Sequence, residues 1–131
     1  MASETNTKKI GDLVLREFDS NYCRKVILLG NSVTTKIGTP LDQNGGSGGA
    51  SLITNGNEAN VDAVALEAVV SGAAANEPCL CLVRGPAIIN GDELELETSV
   101  TVAEIKSVLD AAGILVQEEP DVAEYRPEYA S

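Results

Sequence analysis

Apolar residues in this chain fall in short clusters punctuated by glycine, proline and asparagine. Leu13-Val14-Leu15 is the first cluster. Val26-Ile27-Leu28-Leu29 is the second, and Gly30-Asn31 closes it, which is the pattern of a strand ended by a turn. Residues 32–41 are β-rich with turn residues on both sides. Residues 58–70 hold Val61, Ala63, Val64, Ala65, Leu66, Ala68, Val69 and Val70, a density that fits helix or strand. The valines at its end and the following Ser71-Gly72 predict a strand over 65–70. Cys79-Leu80-Cys81-Leu82-Val83 carries no charge and predicts a strand buried on both faces. Arg84-Gly85-Pro86 breaks it, Ala87-Ile88-Ile89-Asn90 resumes as a strand, and Ile114-Leu115-Val116 is the last.

One segment changes period. Thr101 followed three residues later by Glu104 is a capping-box pattern, and Val102, Ile105, Val108 and Leu109 then share one helical face. Gly113 suits the residue just past a helix end. The spacing predicts an amphipathic helix over 101–112. Several short strands and one late helix predict a mostly β or α+β domain. Its bounds are residues 13–116, between a polar, flexible N-terminal arm (1–12) and an acidic C-terminal tail (117–131). Gln43 to Ala50 is glycine-rich and predicts an elongated surface loop. A phosphate-binding loop would need Lys-Ser or Lys-Thr opening a helix, and Ala50-Ser51-Leu52-Ile53 follows instead.

Composition narrows the function classes. The 131 residues are 44 % hydrophobic but only 3 % aromatic, so the core must be aliphatic. Nine basic residues against twenty acidic ones give a net charge of −11. That balance argues against direct nucleic-acid binding, which requires a basic face to displace counterions. Five of the nine basic residues nonetheless lie in the first 25 positions, beside four acids. No stretch approaches the roughly 20 apolar residues of a membrane span, and residues 1–10 lack the apolar run of a signal peptide. The chain reads as a soluble protein made in a reducing cytoplasm, with no membrane partner.

Catalytic constellations are poorly supplied. Histidine is absent, which removes Ser-His-Asp and Cys-His arrangements and the commonest neutral metal ligand. Three cysteines, Cys23, Cys79 and Cys81, are too few for zinc without histidine, and an odd count excludes a full disulfide framework. Cys79 and Cys81 are two apart and so share one strand face, as core residues do. Asp92, Glu93, Glu95 and Glu97 read as a solvated acidic face whose Leu94 and Leu96 point inward. No catalytic, cofactor or metal residue is assigned, and the reading is of a non-enzyme. Arg84 is the only basic residue between Lys36 and Lys106, placed to pair with a carboxylate of its own or a neighbouring subunit.

The segment Leu82-Val83-Arg84-Gly85-Pro86-Ala87-Ile88-Ile89-Asn90 resembles a stretch of the phage head decoration proteins, the capsid-stabilising family of the lambda protein D type. Other pieces resemble that family in the same order. They are Tyr22-Cys23-Arg24-Lys25-Val26, Ile37-Gly38-Thr39-Pro40-Leu41, Ala65-Leu66-Glu67-Ala68-Val69 and Ala111-Ala112-Gly113-Ile114-Leu115-Val116. The likeness spans residues 10–116; the Gly45–Gly49 loop and residues 117–131 depart from it. It implies a small β-clip-like domain that forms a homotrimer at local threefold sites on the outer surface of an expanded phage head. There it would bind the major capsid protein and stabilise the shell against packed DNA, after synthesis in the bacterial cytoplasm, with no enzyme activity and no cofactor. On that reading the capsid-binding residues are Lys8, Lys9, Ile10, Leu13, Val14, Leu15, Arg16 and Phe18. Arg84, Gly85 and Pro86 form a trimer or core motif. The alternatives are another virion or cell-surface module for host or carbohydrate recognition, which would want exposed aromatics near a groove, and a carrier domain modified at Lys36, whose flanking signature is missing.

Overall fold

The computed structural model describes residues 9–46, 49–72 and 76–117. In chain order the elements are α1 (Ile10–Leu13), β1 (Val14–Glu17), α2 (Ser20–Cys23), β2 (Arg24–Leu28), β3 (Pro40–Gly46), β4 (Gly49–Leu52), β5 (Ala63–Ala65), β6 (Pro78–Leu82), β7 (Ala87–Asn90), α3 (Val102–Ala111) and β8 (Ile114–Gln117). Single 3₁₀ turns lie at Glu58–Asn60 and Gly91–Glu93. Among the described residues the chain is mostly β, with two sheets and one helix longer than a turn.

The larger sheet has the order β2-β6-β5-β3-β4, every neighbour antiparallel. It curls until its two edges touch. Leu29 forms a parallel bridge with Ala50, and the Gly30 N–H donates to the Ala50 carbonyl at 2.7 Å. Gly49 permits that approach, because a Cβ there would lie 2.6 Å from the Leu28 carbonyl oxygen. The smaller sheet has the order β1-β7-β8. β1 and β7 are antiparallel, while β7 and β8 are parallel and connected through α3, as a parallel pair requires.

Two cores result, and β5 and β6 divide them. Val64 and Leu82 face a core shared with the small sheet and α3, where Leu13, Ile89, Ile105, Leu109, Ile114 and Val116 are buried. Ala63, Ala65, Cys79 and Cys81 face the interior of the curled sheet with Ile27, Leu29, Val33 and Leu41. Alternate side chains of one strand therefore enter different cores. This is the physical reason that residues 79–83 carry no charge.

The helix stands as its spacing predicts. Thr101 is its N-cap, the Thr101 N–H donates to the Glu104 carboxylate at 2.8 Å, and Gly113 follows at φ +88°. Three expectations are corrected. The strand expected over 65–70 is Ala63–Ala65. Beyond Leu66 the backbone bonds to residues 33–35 instead of a ladder: Thr35 and Val69 exchange bonds of 2.8 and 3.2 Å, and the Ser71 N–H reaches the Val33 carbonyl at 2.8 Å. The glycine-rich stretch is a hairpin, since Pro40–Gly46 and Gly49–Leu52 pair as β3 and β4; residues 47–48 lie outside the described residues. The arm does not run free to residue 12, because residues 10–12 belong to the helical turn Ile10–Leu13 and Ile10 packs against the first core. Residues 1–8 of the expected arm and 118–131 of the expected tail lie outside the described residues.

Candidate interaction surface

The segments singled out in the sequence meet at one end of the small sheet. β1 pairs with β7, matching Arg16 to Ile88 and Glu17 to Ala87. Just past β1, the Phe18 N–H donates to the Pro86 carbonyl at 2.8 Å. The chain then turns at Asp19, whose carboxylate caps α2 by accepting from the Asn21 N–H at 2.9 Å. That cap sets Tyr22 edge-on to Phe18, with ring centroids 6.5 Å apart and planes at 87°. Arg84 closes the cluster. Its guanidinium donates to the Tyr22 carbonyl at 2.6 Å and lies over the Tyr22 ring, 5.0 Å from the centroid, a cation–π geometry.

Backbone proximity holds this end together. A Cβ on Gly85 would fall on the Gly113 carbonyl oxygen, so the break between β6 and β7 and the turn between α3 and β8 touch only because Gly85 has no side chain. The Gly85 N–H donates to the Ala112 carbonyl at 3.2 Å and the Ala87 N–H to the Gly113 carbonyl at 3.1 Å. The Gly85–Pro86 peptide is cis.

The outward face of the small sheet carries a groove of about 370 Å³ lined by Arg16, Phe18, Pro86, Ile88 and Leu115 among others. Two of its apolar residues are open to solvent, Phe18 at 72 % and Leu115 at 46 %, and Tyr22 beside Phe18 is 51 % exposed. The charges around it are unequally satisfied. Glu17 accepts both arms of the Arg24 guanidinium, one through Nε at 3.1 Å. Among the described residues Arg16 and Arg84 have no carboxylate partner.

The expected contact residues separate into two groups. Leu15, Arg16 and Phe18 are exposed at this end. Leu13 belongs to the core, with Ile10 and Val14 packed against it, so these three anchor the segment inward. Lys9 is exposed and caps α1, its N–H donating to the Asp12 carboxylate at 2.9 Å. Lys8 lies outside the described residues. Of the second motif, Gly85 makes the backbone contact, Pro86 lines the groove and Arg84 sits on Tyr22. Tyr22, Ile88 and Leu115 were not among the expected residues. The alternation of β8, buried at Ile114 and Val116 and exposed between them, was the available signal for Leu115.

Elsewhere, Leu94 and Leu96 pack against the first core, as the acidic stretch predicts. Cys79 and Cys81 are both fully buried with sulfurs 3.9 Å apart. The hydrogen bond from Cys81 lowers the Cys79 pKa to about 7, and the same contact together with burial pushes the Cys81 thiol far up. Among the described residues no group of three or more His, Cys, Asp or Glu is arranged to hold a metal ion. No helix among them is long and apolar enough to cross a membrane. Comparison of the chain with protein-family models finds no match, and comparison with curated proteins finds none.

Proposed function

We propose that this chain is a phage capsid decoration protein. It binds the outer surface of the expanded head as a homotrimer at local threefold sites and stabilises the shell against internal DNA pressure. The observation that supports this reading is the convergence of Arg16 and Phe18 with Pro86 on one exposed groove, next to the Tyr22–Arg84 pair. A chain with one Phe and three Tyr that leaves Phe18 and Tyr22 exposed and edge-to-face is spending scarce aromatics on a surface. Exposed aromatic clusters with a neighbouring arginine are the usual anchors of protein contacts. Burying one Phe side chain is worth about 2 kcal/mol, too little alone, and three copies on one trimer multiply it through effective concentration.

Sedimentation with unexpanded and expanded shells tests the reading. The expected result is binding to expanded shells, saturating near three copies per local threefold, and its loss in Phe18→Ala. Binding of the wild-type chain to neither shell refutes it. A truncation that probes the arm should end at residue 8, because removing residues 9–12 also removes Ile10 from the core.

A further inference from the structure

We infer that the groove on the outward face of the small sheet takes an acidic peptide segment of the shell protein, seated by one apolar or aromatic side chain between Phe18 and Leu115, with Arg16 on the groove wall and Arg84 beyond Phe18 on the Tyr22 ring. The inference rests on the decoration reading and names the chemistry of the partner at that surface.

Three observations carry it. The first is shape. A groove of about 370 Å³ lying open on a sheet face between Phe18, Pro86, Ile88 and Leu115 accommodates a side chain and its adjoining backbone. The second is charge. Of the three described arginines, Arg24 is paired with Glu17, while Arg16 on the groove wall and Arg84 on Tyr22 have no carboxylate partner among the described residues. Glu17 also lines the groove, and Arg24 already engages it through both oxygens. The positive charge there is therefore not cancelled locally. The third is preorganisation. Arg84 is held by the Tyr22 carbonyl through one guanidinium nitrogen and by the ring beneath, so its other donors are offered from a fixed base. A guanidinium fixed in this way loses little freedom on meeting a carboxylate, which favours acidic over basic partners in both affinity and encounter rate.

The probe is a synthetic nonapeptide with one tyrosine flanked on both sides by glutamates, and its counterpart with lysines in place of the glutamates. Each is titrated into the isotopically labelled full-length chain. The acidic peptide should shift the amide signals of Arg16, Phe18, Ile88 and Leu115, while the lysine peptide should leave them in place. The Arg16→Glu/Arg84→Glu variant should weaken the acidic peptide at least tenfold. Should the Arg84 change disturb Tyr22, Arg16→Glu alone carries the test and should weaken binding several-fold, because the Arg16 side chain makes no hydrogen bond among the described residues. Equal binding of both peptides, or undiminished binding to Arg16→Glu, overturns the inference. So does a chain ending at Gln117 that binds the acidic peptide more than tenfold tighter than the full chain, since the chain's own acidic residues 118–131 would then be the occupant. Sedimentation separates the two claims. Shells bound equally by wild type and Arg16→Glu overturn this inference alone. No shell binding by the wild-type chain, with acidic-peptide binding intact, overturns the decoration reading and with it the source of the segment.

Discussion

Replacing Gly85 by alanine tests whether the Arg84-Gly85-Pro86 segment is a structural junction. The added methyl would meet the Gly113 carbonyl oxygen and lie 2.9 Å from the Ala87 nitrogen. Both are backbone atoms and neither can swing aside. The strands must therefore separate, stretching the bonds from Gly85 to Ala112 and from Ala87 to Gly113, now 3.2 and 3.1 Å. Overpacking costs about 1–3 kcal/mol, and each weakened hydrogen bond costs about 0.5–1.5 kcal/mol. Together these come to about 2–6 kcal/mol, a large part of the roughly 5–15 kcal/mol that holds a domain folded. For a chain of this size the melting temperature should fall by about 10–20 °C. Urea unfolding followed by far-UV circular dichroism measures the difference. Gly72→Ala is the control, since a Cβ there meets nothing within 4 Å, and surface changes of that kind stay within about 0.5 kcal/mol. A Gly85→Ala chain within about 1 kcal/mol of wild type, beside an unchanged control, would show that the close approach at Gly113 is not a constraint (the cost expected exceeds that).

Three further outcomes follow from the same contacts. Glu104→Ala removes the acceptor of the Thr101 N–H and should cost about 1 kcal/mol in a urea titration; no measurable change would show that the cap contributes nothing. Leu109→Ala, at a fully buried position on α3, should cost about 2–5 kcal/mol, and a cost below 1 kcal/mol would place the first core elsewhere. Stability should vary with pH through the buried thiols. Cys79 sits at about 7 against an ordinary 9.0, so its contribution is present above 9, and is lost as pH falls toward 7. Cys81 is raised, so its contribution is present below 9 and is lost as pH climbs above that value. Wild-type stability should rise from pH 7 to 9 and fall beyond it. Cys81→Ala should lose the rise, because Cys79 then lacks the donor that favours its thiolate; an unchanged profile would refute the pairing.

Much of the fold was readable because local chemistry and burial agree. The α3 cap, its apolar face and Gly113 act within a few residues of one another, so no distant partner was needed to predict the helix. Residues 79–83 were readable for a different reason: flanked by two cores, they display both in one charge-free run. The misreadings have a common cause. Whether residues 66–70 join a ladder depends on residues 33–35, which compete for the same donors. Whether glycines at 45, 46 and 49 form a loop or a hairpin depends on Leu28 and Leu29 passing close to Gly49. Neither competition leaves a mark in the local pattern.

The surface was half readable, and the missing half is electrostatic. Read along the chain, Arg16, Arg24 and Lys25 form one basic group diluted by nearby acids. Folding sorts them by partner. The chain reversal at α2 brings Arg24 onto Glu17, which removes that charge from the local field. Arg16, one residue earlier on β1, is exposed and keeps its charge. Arg84 then arrives from the end of β6, carried there because the Val83 N–H donates to the Cys23 carbonyl at 2.8 Å and Gly85 closes on Gly113. Two arginines far apart in sequence thus stand without a carboxylate partner among the described residues, Arg16 on the groove wall and Arg84 on the adjacent Tyr22. Counting charges along the chain returns an acidic protein, while the register of β1 against β7 leaves one basic, aromatic face on it. The partner chemistry inferred for that face depends on this register. A one-residue slip of β1 would turn Arg16 inward and expose the core-facing side of the strand.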